Sequence, residues 1–138
     1  MIELIQVGDI LIDCADKEAL CTFYENLLGW ERGMLYGYPS LISQNGLVLL
    51  FSQEEDYVPP VWPEEPNRQQ KQIHFDFQVP DIEQAVAEAI RLGARRTEAQ
   101  FGSEDDVFVS MLDPAGHPFC LCENSSLKEQ YRKAKTRQ

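Results

Sequence analysis

The stretch IHFDFQVPD, residues 73–81, decides how this chain reads. Its residues alternate. Phe75, Phe77 and Val79 fall on one side of an extended backbone, and His74, Asp76 and Gln78 on the other, the period-two pattern of a strand with one face against a helix. The alternation predicts a strand over 72–79. Asp81 is then placed to cap a helix over 82–92, and Gly93 to end it.

Working outward, a second stretch follows the same plan. GDILIDCAD, residues 8–16, puts Ile10, Ile12 and Cys14 on one face and Asp9, Leu11 and Asp13 on the other, before a helix capped by Asp16 and closed by Gly29. In both stretches a polar residue stands seven positions ahead of the capping aspartate: Asp9 before Asp16, His74 before Asp81. After each helix come strand-like segments and a glycine turn into a last strand. In the first half these are residues 30–38, 39–44 and, after Asn45-Gly46, 47–52. In the second half they are 95–99, 107–112 and, after Asp113-Pro114-Ala115-Gly116, 118–123. The chain reads as an α+β fold of two tandem βαβββ modules, and duplication explains it better than chance.

The modules are expected at residues 1–53 and 72–123 of one domain spanning 1–123. Between them, residues 54–71 hold Pro59, Pro60, Pro63 and Pro66, which forbid a regular central element. That is too long for an ordinary connection. Tyr57, Val58, Val61 and Trp62 give it enough apolar surface to act as a lid or crossover.

The 138 residues suit a single domain with a real core, and the formal charge of −11 disfavours nucleic acid or an anionic membrane as partner. Residues 124–138 carry Lys128, Arg132, Lys133, Lys135 and Arg137 against Glu129 alone, so this tail is basic and reads as a solvated helix. No leader pattern and no apolar run approaching the ~20 residues of a membrane helix is present, so a cytoplasmic protein is expected. Cys14, Cys21, Cys120 and Cys122 form no CxxC pair and read as free thiols, with Cys120 and Cys122 on one strand face.

His74 is one of two histidines, the residue type whose titration suits general-base work near neutral pH. It is the candidate catalytic residue. Asp76 could pair with it, and a structural histidine is the competing reading. Tyr57, Trp62 and Arg68 precede the His74 strand and could close an apolar lid over a small-molecule cavity that Trp30 and Tyr36 also line. The other histidine, His117, reads as a turn residue.

Three segments, DCADKEALCTFYENLLGWE, QIHFDFQVPDIEQAVAEAIRLGAR and DPAGHPFCL, together resemble the vicinal oxygen chelate superfamily in its glyoxalase and bleomycin-resistance-like branch. The likeness covers residues 7–123. It implies two modules whose curved mixed sheets form a cavity for a small organic molecule, and a homodimer. It also implies metal ligands at Asp9, Leu50, His74 and Cys120. Leucine cannot bind a metal, so the set contracts to Asp9, His74 and Cys120, with Asp13 and Asp76 as further cavity residues. Carboxylate, imidazole and thiolate suit Zn²⁺ among the common ions. Three functions stay open: ligand binding with an incomplete metal site, a zinc-dependent lyase or isomerase acting on adjacent oxygens, and sequestration of a drug or metabolite. A Cys120–His74 nucleophilic pair is a fourth, disfavoured by the acidic surroundings.

Overall fold

The computed structural model describes residues 1–97 and 108–124, and divides into two compact units, Met1–Val58 and Pro59–Gln138. The expected C-terminal helix falls outside the described residues. Each unit is a βαβββ module with a four-stranded mixed sheet, so the α+β reading and its internal repeat both hold.

In the first unit, β1 (Ile10–Cys14) leads to α1 (Lys17–Leu28), then β2 (Glu31–Leu35), β3 (Tyr38–Ile42) and β4 (Val48–Gln53), with sheet order β1-β4-β3-β2. Asp16 caps α1 by accepting from the Ala19 amide at 3.0 Å, and Gly29 ends it at φ 69°, a left-handed conformation that costs glycine little. The helix buries Leu20, Cys21, Phe23 and Tyr24, and Tyr24 stacks on Phe51 of β4 with ring centroids 6.0 Å apart. Parallel pairing sets Ile10, Ile12 and Cys14 beside Leu49, Phe51 and Gln53, so the apolar alternation of β1 lies on the helix side. On the other face Leu11 pairs with Leu50, and Leu50 is fully buried.

The second unit repeats this order with β5 (Phe75–Val79), α2 (Ile82–Leu92), β6 (Arg95–Arg96), β7 (Phe108–Leu112) and β8 (Pro118–Glu123), in sheet order β5-β8-β7-β6. The strand containing the opening motif starts at Phe75, so His74 lies just ahead of it rather than within it. Asp81 caps α2 through the Gln84 amide at 3.2 Å, and Gly93 closes it at φ 117°. Phe77 meets the buried Phe119 edge-on at 5.9 Å, which assigns Phe75, Phe77, Phe119 and Leu121 to one face of the sheet. The opposite face presents Asp76 beside Cys120, Gln78 beside Cys122, and on β7 Ser110 beside Cys120.

The DPAG turn between β7 and β8 is fixed by Asp113. Its buried carboxylate accepts the amides of Ala115 at 2.9 Å and His117 at 3.0 Å, while its own amide donates to the His117 carbonyl at 2.9 Å. Gly116 sits at φ 89°, and a Cβ there would lie 3.0 Å from Pro59 Cβ, so side-chain absence lets the Pro-rich loop approach this turn. Among the described residues no helix is long and apolar enough to cross a membrane.

Candidate functional site

Alternation along β5 and parallel pairing with β8 build the site. Because partners in adjacent strands share a face, Asp76 and Cys120 project together from the side of the sheet away from α2, and His74 reaches the same place from the residue before the strand. One donor atom from each of His74, Asp76 and Cys120 lies within 4.8 Å of the others. His74 Nε2 is 3.3 Å from Asp76 Oδ1, close enough for an ion pair when the imidazole is protonated.

The Cys120 thiol is pushed up to about 11. Burial is the main cause, followed by the nearby Asp76 carboxylate and the Cys122 thiol; a hydrogen bond with Asp76 adds to the rise and one with Ser110 opposes it. Cys122 is raised as well, by burial first and Asp76 second. Both thiols are therefore protonated at neutral pH in the metal-free chain. Neither has the electropositive setting that activates a nucleophilic cysteine.

Above this face lies the loop that follows Pro59. Val61 N donates to Gln69 O at 2.8 Å and closes the loop into a hairpin-like arch. The Trp62 indole N–H donates to Ser110 Oγ at 3.2 Å, and Lys71 Nζ stands 3.8 Å from the centroid of the Trp62 ring, within cation–π range. Lys71 also pairs with Glu64 at 3.2 Å. Loop and sheet border a solvent-open cavity of about 350 Å³. Trp62 and Lys71 form its loop wall; His74, Asp76 and Ser110 contribute the polar part of its sheet wall, with Phe108, Pro118, Cys120 and Cys122 completing it.

Of the residues expected from the sequence to form a site, Trp62, His74, Asp76 and Cys120 come together here. Arg68 is at the surface, 60% exposed and paired with Glu65 at 3.4 Å. Asp9, Asp13, Trp30, Leu50 and Tyr57 belong to the first unit. There Asp9 is half-buried ahead of β1, Asp13 is exposed, and Trp30 and Tyr57 are half-buried. Lys71, Phe108 and Ser110 were not anticipated. The period-two pattern of β7 puts Phe108 and Ser110 on one face, a signal available in the sequence. Lys71 follows a polar run without periodicity, and only the arch that returns it to Trp62 reveals it.

The donor set tests what the site could hold. One imidazole nitrogen, one carboxylate oxygen and one sulfur match the ligands of Zn²⁺, and three protein ligands would leave a fourth position for water or a substrate oxygen. The oxygen-rich shells of Mg²⁺ and Ca²⁺ are a poor match to a thiolate and an imidazole.

The family described as "Glyoxalase-like domain" matches residues 9–122. No curated protein matches the chain. Among solved structures, the genomically encoded fosfomycin resistance protein FosX from Listeria monocytogenes is 13% identical and superimposes with a TM-score of 0.65, covering 91% of this chain and 98% of that one. A glyoxalase/dioxygenase from Nostoc punctiforme is 19% identical with a TM-score of 0.63, over 87% of this chain and 91% of its own. A glyoxalase/bleomycin resistance protein/dioxygenase family enzyme from Burkholderia phytofirmans PsJN is 16% identical with a TM-score of 0.63, over 84% and 96%. At these identities the likeness establishes fold rather than chemistry. The family match spans both modules, and the chain belongs to the glyoxalase-like domain family of the vicinal oxygen chelate superfamily.

Proposed function

We propose that this protein binds a small organic molecule in the cavity of its second unit. The observation that supports this reading is the cavity itself: about 350 Å³, mostly apolar, roofed by Trp62 and floored by the polar group His74, Asp76 and Cys120. Its volume is within the range of small-ligand sites, and a few convergent polar groups in an apolar wall are the usual means of orienting a ligand. Thermal denaturation and intrinsic tryptophan fluorescence of metal-free protein against a panel of small organic molecules test it. A ligand that binds only the folded state raises Tm in proportion to the logarithm of its concentration. No shift with any member would count against the reading.

A second reading is favoured by the triad. In it the protein is a metal-assisted lyase or isomerase, and His74, Asp76 and Cys120 hold zinc. The family resemblance names Asp9 as the carboxylate; this reading gives the part to Asp76, whose oxygen lies within 4.8 Å of the other two donors. A bound zinc ion would supply polarisation of adjacent substrate oxygens. His74, beside Asp76, would in either reading orient a ligand oxygen or take up a proton at Nε2. Metal analysis of protein purified without chelator should find about one zinc per chain, and His74→Ala should abolish it. Metal-free protein that binds organic ligands unchanged by added zinc would leave sequestration of a drug or metabolite as the function. The proposal includes a cytoplasmic homodimer, for which light scattering at micromolar concentration and fractionation of cells are direct tests.

A further inference from the structure

We infer that Lys71 makes this cavity selective for organic acids, with the ligand's anionic group held at the loop wall and its apolar part against the sheet wall. The inference rests on the cavity being a small-molecule site and specifies what that site takes.

Three observations carry it. First, Lys71 is the one lysine or arginine among the described residues that line the cavity, and its side chain is only 19% exposed. Second, its ammonium is held in place: 3.8 Å from the centroid of the Trp62 ring, whose indole is itself tied to Ser110 at 3.2 Å. An anchored cation loses less conformational freedom on meeting an anion than a lysine waving in solvent. Third, its present counter-charge is weakly placed. Glu64 pairs with it at 3.2 Å but is 48% exposed and is not part of the cavity wall. An exposed carboxylate contributes little to such a pair, so a ligand anion arriving from the cavity side can share or displace it at small cost.

Among the described residues the other charged group of the cavity wall is Asp76, whose carboxylate repels an anion and so favours its seat at the Lys71 wall. Asp76 is engaged with His74 at 3.3 Å and with the Cys120 thiol. Were a divalent cation held by the Asp76 carboxylate and a Cys120 thiolate, these two charges would neutralise it, and Lys71 would still leave a single positive charge for a monoanion to balance. Phe108, Pro118 and the Trp62 edge give the rest of the molecule an apolar surface. The ligand class is thus a monoanionic organic acid with a compact apolar body. A cationic ligand is disfavoured because Lys71 already occupies the Trp62 face that would attract it.

The test compares matched pairs on the full chain: benzoate with benzamide, and hexanoate with hexanamide, with benzylamine as the cationic control. Binding is measured by isothermal titration and thermal shift. Each acid should bind at least about tenfold more tightly than its amide, as a charge-assisted contact requires, and should weaken as salt is added. Lys71→Met, which keeps the apolar stem, should bring the acid down to the affinity of the amide without changing the amide. Lys71→Arg should retain the preference, and Glu64→Gln should strengthen it by removing the competing carboxylate. Equal binding of acids and amides, tighter binding of benzylamine, or an acid preference that survives Lys71→Met would overturn the inference while leaving the cavity a ligand site. Failure of every probe to bind would overturn both.

Discussion

On the zinc reading, raising the pH from about 7.5 to about 8.5 should tighten zinc binding roughly tenfold, because Cys120 must lose a proton to become a ligand. The sign follows from the structure. Burial, Asp76 and Cys122 hold the thiol at about 11, above its ordinary 9.0, so the folded metal-free chain keeps that proton throughout the range. Each zinc bound through the thiolate then releases one proton, and the apparent association constant rises about tenfold for each pH unit below the thiol's value. The assay is competition against a chromophoric chelator, with calorimetry in two buffers of different ionisation enthalpy to count the proton. Cys120→Ser removes the titrating ligand, so its zinc affinity should be weaker and nearly independent of pH in this window. A flat profile in the unsubstituted protein, or an unchanged slope in Cys120→Ser, would refute sulfur ligation. The same shift has a consequence for the metal-free fold. Its contribution to stability is complete below about pH 9 and is lost as pH rises toward about 11, because the unfolded chain gives up the proton first.

Three further outcomes are expected. Asp76→Asn should weaken zinc binding by more than about a hundredfold and lower the pH at which Cys120 reacts with iodoacetamide, since a neutral amide neither ligates well nor opposes the thiolate; Asp9→Asn measured alongside it identifies which carboxylate the metal uses. Ser110→Ala should cost about 1 kcal/mol by leaving the Trp62 indole without its acceptor, lowering Tm by roughly 3 °C in a chain of this size, with a shifted Trp62 emission that a distant structural change would not produce. Asp113→Ala removes a buried acceptor of two amides and should destabilise by about 2–4 kcal/mol in urea denaturation, whereas Pro114→Ala at the exposed position beside it should cost much less than that.

What the sequence disclosed was whatever depends on near neighbours along the chain. Asp16 and Asp81 cap their helices, Gly29 and Gly93 end them at positive φ, and alternation separates Ile10, Ile12 and Cys14 from Asp9, Leu11 and Asp13. These are local rules, each set within a few residues. The site depends on register instead. That Asp76 stands beside Cys120 is a property of parallel pairing between strands far apart in sequence, and no local pattern specifies it. Family resemblance named Asp9 together with Cys120 and His74; Asp76 is the carboxylate that parallel pairing sets beside Cys120. Lys71 was hidden for a similar reason: nothing near it marks it, and it becomes part of the cavity only through the Val61–Gln69 backbone contact that bends the loop back over Ser110.

The repeat shows what is particular to the second unit. In register, the counterparts of Asp76 and Cys120 are Leu11 and Leu50: each pair joins the first and last strands of its module in parallel, and each projects from the face away from the helix. The first unit puts two leucines there, one of them fully buried, and the second puts a carboxylate and a thiol. Folding of the βαβββ plan therefore does not require polar groups at this position, since the same scaffold forms with an apolar pair. Asp76 beside a half-buried cysteine instead disfavours the Cys120 thiolate, and with burial it holds that thiol up at about 11. A carboxylate and a thiol on a face where the sister module shows that leucine suffices are better accounted for by what they bind than by what they hold together.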